Sequence, residues 1–383
     1  MKVLFLSVTA GQGHNQTGKA AMECLLENNV ECVMLDTFEY INPFLKESIS
    51  QGYLISTRFS PSLYGRMYRL AEKLEKNNIK MSVSKFTSSI WAKKLTTYIE
   101  EYKPDVIVCT HIFSAQILTQ ILQKGIPART IGIVTDFTIH PFWEDTRLDY
   151  YIIANELLTR QAVKKGLPEE RLKPFGIPIF RKFAEKMPAE QARTELNIEN
   201  KDTILVMSGS MGYGNVTGII KQLDSLNMDF QIMSVCGNNK TLKEKIDEMA
   251  LNKKVYNYGF VENVDVMMDA ANCIITKPGG LTVSESMAKG LPMIIVNPIP
   301  GQEDRNVEFL LNNGLAMKIT DTFPIDEAVY QLLSSNEKVD TMISRINELA
   351  RPNASMDLCN FINNLTPAQW YIDDQPEART SAK

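Results

Sequence analysis

Only three histidines occur in this chain of 383 residues, and each follows a predicted strand in the first half: His14, His111 and His140. An imidazole at a strand's carboxyl end can take a proton from a hydroxyl near neutral pH. His14 sits in Thr9-Ala10-Gly11-Gln12-Gly13-His14-Asn15-Gln16-Thr17-Gly18-Lys19-Ala20, a loop that two phosphate-binding templates nearly fit. As a dinucleotide fingerprint it has Gly11-x-Gly13, with Gln16 where the third glycine belongs. As a P-loop it has Gly13-x-x-x-x-Gly18-Lys19 and an acidic strand end at Ile131–Asp136, but Ala20 removes the hydroxyl that would hold magnesium. Two further readings make His14 a turn residue, or one of three zinc ligands, although no pair has His-x-x-x-His or comparable spacing. Asp136, in Thr135-Asp136-Phe137-Thr138-Ile139-His140-Pro141-Phe142-Trp143, is a second base candidate or a carboxylate that orients His14. It also reads as an ordinary turn residue.

The second half carries a different constellation, Ile275-Thr276-Lys277-Pro278-Gly279-Gly280-Leu281-Thr282-Val283-Ser284-Glu285, followed by Gly301-Gln302-Glu303. Gly279 and Gly280 let backbone approach a ligand, and the helix behind them offers unpaired N–H groups and a positive dipole end, which suits a phosphate. Glu285, one turn in, can accept from two adjacent sugar hydroxyls. Gln302, Glu303 and Asp304, after the next strand, suit more hydroxyls. Diphosphate, ribose and hexose in that order describe a nucleotide-sugar. Thr282-x-x-Glu285 reads equally as a capping box, with Thr282 as the N-cap. Gly290 and Pro292 then supply ordinary helix-stop chemistry.

Short β-rich runs alternate with helical stretches, which predicts parallel sheets covered by helices on both faces, an α/β chain. The expected strands are 3–8, 31–35, 106–109, 130–134 and 151–154, then 204–207, 231–235, 254–256, 273–276 and 293–296. Each half opens with an apolar strand entering a glycine loop, which predicts two Rossmann-like domains with ligand between the strands' carboxyl ends. The linker falls near 174–188, and 354–365 reads as a last helix.

The chain is long enough to bury two cores, and 44% apolar with 22% charged residues is the composition of a globular protein. A net charge of −4 argues against nucleic acid as a general partner. Six cysteines (24, 32, 109, 236, 273 and 359) include no Cys-x-x-Cys pair, so reduced thiols in a cytoplasm are the economical reading. No apolar run approaches the ~20 residues needed to span a bilayer. The segment from Ile41 to Leu95, however, holds ten basic residues, Arg66, Arg69 and Lys73 among them, against three acidic ones, interleaved with aromatics such as Tyr64, Tyr68 and Trp91. Such a segment suits an anionic membrane surface, and reads alternatively as a solvated helix face.

Taken together, Gly11-x-Gly13-His14, Thr135-Asp136…His140-Pro141-x-Trp143, Gly176-Ile177-Pro178 and Lys277-x-Gly279-x-x-Thr282-x-x-Glu285 resemble the diacylglycerol glycosyltransferases, the bacterial processive glucosyltransferases and plant monogalactosyldiacylglycerol synthases. The likeness spans about residues 1–365, and the second half is similar to the more distant N-acetylglucosaminyltransferase that completes lipid II. The resemblance implies a GT-B fold: an acceptor and membrane domain over 1–175, a UDP-sugar domain over 176–353, a helix over 354–365 crossing back to the first, and a flexible tail over 366–383. By position, Glu285 matches the ribose carboxylate, Gln302 and Glu303 the donor-hexose loop, and His14 the proposed base. Ser208, Gly209 and Gly212 match the loop beside the donor phosphates, Phe260 and Val261 the segment lining the nucleobase, and Lys277 is retained. His140 and Trp143 fall on the acceptor side. Pro278-Gly279-Gly280 departs from the Ala-Gly-Pro of plant members. The implied reaction is an inverting transfer of glucose or galactose from UDP to diacylglycerol or a glycosyldiacylglycerol at the inner membrane face, without metal or other cofactor. A polyprenyl-lipid N-acetylglucosaminyltransferase, a UDP-sugar epimerase and a non-catalytic UDP-sugar-binding regulator remain as alternatives.

Overall fold

The computed structural model describes residues 1–9, 12–41, 89–123, 125–207, 209 and 214–370. Two six-stranded sheets, parallel throughout, organise the chain. The first contains β1 (Lys2–Ser7), β2 (Glu31–Asp36), β3 (Val106–Cys109), β4 (Arg129–Ile133), β5 (Tyr150–Ile152) and β6 (Leu172–Lys173). The second contains β7 (Thr203–Met207), β8 (Gln231–Val235), β9 (Val255–Tyr258), β10 (Cys273–Thr276), β11 (Met293–Ile295) and β12 (Ala316–Lys318). Their central strands read as unbroken apolar runs because both faces are covered: β3, β7 and β10 are buried at every position.

All ten expected strands are present, each within two residues at either end. β6 and β12 were not anticipated, since two and three residues are too few for a pattern to register.

Strand order decides where ligand can sit. The first sheet runs β2-β1-β3-β4-β5-β6 and the second β12-β11-β10-β7-β8-β9. The order therefore reverses between β1 and β3, and again between β7 and β10. At such a reversal the loops leaving adjacent strands diverge to opposite faces and open a crevice. The loop before His14 leaves β1, Thr110 and His111 leave β3, Gly209 leaves β7, and the Lys277–Gly280 turn leaves β10.

Four helices position these loops: α1 (Gly13–Glu27), α2 (Gly280–Lys289), α3 (Gln302–Asn312) and α4 (Ala354–Asn363). α2 stops at Gly290, whose φ of 73° is left-handed, the glycine stop expected there. α4 packs on α1 in the first domain, burying Leu358, Cys359 and Ile362 against Ala21, Cys24 and Leu25. Full burial of an aliphatic side chain contributes about 1.5–3 kcal/mol. Linker and returning chain meet at Gly176 (φ +101°), where a Cβ would lie 2.5 Å from that of Arg351, and Ser355 Oγ donates to the Ile179 carbonyl at 2.6 Å. Residues 366–370, expected within a flexible tail, are tied instead to the first domain. Trp370 Nε1 donates to the Pro104 carbonyl at 3.0 Å, and the Ala368 N–H to Asp105 at 3.1 Å. Residues 371–383 lie outside the described residues.

Candidate functional site

His14 lies in the first turn of α1, and its half-buried ring faces a cleft between the two sheets. Its Nδ1 is 2.9 Å from the Thr110 carbonyl and 3.0 Å from Thr135 Oγ1. A carbonyl only accepts, so Nδ1 carries the hydrogen and Nε2 keeps its lone pair; this tautomer is assigned from the partners. Burial lowers the pKa of His14, opposed by the Asp136 charge and the Thr110 carbonyl. The ring is therefore neutral at pH 7, the state a proton acceptor needs. A polar network holds the loop in place: Asn15 bonds Ser7 Oγ and Thr9 Oγ1, and Asp36 accepts from the Thr9 N–H at 3.0 Å.

The other histidines have different work. His111 packs edge-on to His14 with centroids 4.5 Å apart. Its Nδ1 accepts from the Phe113 N–H, capping a helix, and burial holds its pKa well below the usual value. His140 caps the 3-10 turn Pro141–Asp145 by accepting from the Phe142 N–H at 3.3 Å, and burial lowers its pKa to about 4. Trp143, expected on the acceptor side, is a core residue at 4% exposure. Its ring covers Gly132, where a Cβ would come within 2.7 Å, and meets Tyr151 edge-on. Arg66, Arg69 and Lys73 lie outside the described residues.

The opposite wall belongs to the second domain. α2 begins at Gly280 with Gly279 as its N-cap, and the Val283 N–H bonds the Gly279 carbonyl. Thr282 is thus inside the helix, which removes the capping-box reading. The Glu285 residue is buried at 8% exposure and lines the cavity. Burial raises its pKa to about 8, with Lys182 opposing the shift and Asp265 adding to it. Lys182, which the sequence reading missed, comes from the linker, pairs with Asp265 at 3.0 Å and lines the same cavity.

Phe260, 61% exposed, Val261 and Gly209 (φ +69°) line the same cavity. Ser208 and Gly212 lie outside the described residues, as does the side chain of Gln302. Glu303 lines the cavity and accepts from the Ile299 N–H at 2.6 Å. Burial lifts its pKa to about 7, against that hydrogen bond and the Lys277 charge. Asp304, expected to meet sugar hydroxyls, instead accepts from the Gly301 N–H at 2.8 Å and caps α3.

The walls meet at one place. A Cβ on Gly280 would lie 2.0 Å from the Thr135 carbonyl, so only a glycine admits this approach. Beside it, Asn306 of α3 bonds both Asp136 and the Pro278 carbonyl. Sequence reading missed Asn306, although its spacing from Gln302 (i+4) and Glu303 (i+3) places it on their helix face. The cavity so enclosed measures about 910 Å³ and holds His14, Asp136, Gly279, Gly280, Glu285 and Glu303 on its walls.

Two family models match the chain: monogalactosyldiacylglycerol synthase over residues 14–179, and glycosyl transferases group 1 over 188–348. A processive diacylglycerol beta-glucosyltransferase of Bacillus cereus is 30% identical, over 92% of this chain and 90% of its own length. Among solved structures, Acinetobacter baumannii MurG has a TM-score of 0.64 at 15% identity, covering 95% of this chain and 99% of its own. Anabaena HepE in complex with UDP-glucose has a TM-score of 0.54 at 13% identity, over 95% and 100%. These two likenesses are of fold, and that fold is GT-B.

Proposed function

The chain belongs to the diacylglycerol glucosyltransferase family and is a hexosyltransferase acting on a diacylglycerol-type lipid, and from that premise we propose that it uses a UDP-hexose and inverts the anomeric centre. One observation carries this reading: a neutral imidazole, with Nε2 unpaired among the described residues, shares one cavity with the buried Glu285, the half-buried Glu303 and a helix N-terminus.

In the proposed reaction the acceptor hydroxyl gives its proton to His14 Nε2 as its oxygen bonds the anomeric carbon. The bond to the diphosphate breaks on the opposite face, and UDP leaves with the electron pair. Developing charge on that diphosphate is stabilised by the N–H groups of α2 and by Lys277. Glu285 accepts from the ribose hydroxyls, Phe260 covers the base, and Glu303 with Gln302 holds the hexose. The deciding experiment incubates the protein with a panel of UDP-sugars and diacylglycerol vesicles and reads lipid products by mass spectrometry. Conversion of UDP-sugar without lipid, or no lipid product from any donor, would overturn the proposal.

The raised pKa of Glu285 has a measurable sign. With its value near 8, the empty site holds this carboxyl protonated at neutral pH, whereas two ribose hydroxyls donate best to the ionised form. UDP-hexose binding should therefore release a proton, and affinity should climb as pH rises toward about 8. Glu285→Gln should weaken binding by roughly 10-fold or more, the scale of lost charged hydrogen bonds, and flatten that slope. Calorimetry in buffers of different ionisation enthalpy reads both; unchanged affinity and slope would remove Glu285 from the ribose site.

No helix among the described residues is long and apolar enough to cross a membrane, and we assign membrane contact to the basic segment around Arg66, Arg69 and Lys73. Reversing these three charges should reduce vesicle binding in proportion to anionic lipid content, at about 1 kcal/mol per charge. Binding that ignores lipid charge would leave the segment as a solvated surface.

A further inference from the structure

The buried amide of Asn306 joins the two walls of the site. The residue is 0% exposed. Nδ2 donates to Asp136 Oδ1 at 3.0 Å and to the Pro278 carbonyl at 2.9 Å, while Oδ1 accepts from the Phe137 N–H at 2.8 Å. The orientation of the amide is unambiguous, because the Phe137 N–H can only donate and the Pro278 carbonyl can only accept. Both donors are thus engaged, one toward each domain. The junction is sealed by the Gly280–Thr135 approach and by Phe137 against Phe309, with centroids 5.0 Å apart.

We propose that Asn306 is a positioning residue that sets Asp136 beside His14 only when the donor-binding turn is docked against the first domain. The inference rests on the reading of His14 as base. Asp136 and Phe137 belong to the loop after β4, whereas Pro278 and Asn306 itself belong to the second domain, so domain separation must break two of the three bonds. Thr135, the residue before Asp136, touches both His14 Nδ1 and the site of Gly280. Docking the turn therefore fixes the backbone that carries Thr135, which meets His14 Nδ1, and Asp136, whose charge acts on the ring. Asp136 acts on His14 through its charge, sustaining the proton affinity that burial lowers. The proton acceptor is in this way completed by the half of the protein that holds the donor, which withholds full basicity until both halves are assembled.

The test uses the full chain with UDP-glucose and diacylglycerol vesicles. Asn306→Asp keeps the shape and the acceptor for Phe137 but places a second carboxylate against Asp136; Asn306→Ala removes all three bonds. Both should lower kcat by at least about 30-fold, the scale of a small misplacement of reacting groups, while calorimetric UDP affinity stays within about threefold. In an Asp136→Asn background, adding Asn306→Ala should cost less than about threefold more, because coupled residues are not additive. Asp136→Asn alone leaves the chain's own Asn306 in place and should reproduce the kcat loss, which keeps the idea testable if the Asn306 variants do not fold. Losses that multiply independently, a UDP affinity that falls in step with kcat, or native turnover would each overturn the inference. Full activity of His14→Ala would sink the base reading itself; an inactive His14→Ala beside active Asn306 variants would sink only the role of Asn306.

Discussion

Replacing His14 with alanine should lower kcat by at least about 100-fold, the lower end of what a positioned general base contributes. UDP affinity should stay near native, because the ring lies on the wall opposite Glu285, Phe260 and Glu303. The fold should also tolerate the change. Among the described residues the ring bonds through Nδ1 alone, to Thr110 and Thr135, and a lost hydrogen bond of this kind costs about 1 kcal/mol. The pH profile gives a second reading. A base works deprotonated, so at saturating UDP-hexose, where the Glu285 dependence of donor binding no longer enters, kcat should rise with pH and level off, with its acid limb below the ordinary histidine value of 6.5 because burial lowers this pKa. An unchanged kcat in the variant, or an acid limb that survives it, would transfer the proton to another group.

Gly280→Ala should separate folding from activity. The position has no left-handed φ, and as the first residue of a helix it sets no backbone demand that alanine cannot meet. The second domain should therefore still fold. The new Cβ, however, would stand 2.0 Å from the Thr135 carbonyl and 3.2 Å from Ile177 Cδ1. Backbone cannot yield like a flexible side chain, so the turn must withdraw from the first domain. A shift of that kind, about 1 Å, can cost on the order of 100-fold in rate, and it would also stretch the Asn306 bonds. The expected result is a chain that still folds, its thermal transition lowered only modestly by the loosened domain contact, with kcat/KM down by about two orders of magnitude. Native kcat/KM would mean that the two domains need not touch here during turnover.

Much of this protein is readable along the chain. Strands such as Val106–Cys109, Gln231–Val235 and Cys273–Thr276 are legible to the residue, because a strand buried on both faces must be apolar throughout. The placement of His14, Gly279 and Glu285 follows from the same logic: a parallel sheet puts every strand's carboxyl end on one edge, and that edge carries chemistry.

What the chain could not disclose depends on contacts between distant segments. The Thr282-x-x-Glu285 spacing suits a cap as well as a ribose site; the cap reading fell because α2 starts three residues earlier than a Thr282 cap requires, at Gly280, pressed against Thr135. The working tautomer of His14 is set by the Thr110 carbonyl, and the burial of Trp143 by the space over Gly132. Asn306 looks in sequence like any polar helix residue until two domains close around its amide. Residue type and spacing determined which groups line the edges of the two sheets. Tertiary structure alone decided which of them face each other, in what protonation state and through which bridge, because hydrogen bonding and desolvation depend on neighbours that periodicity does not name.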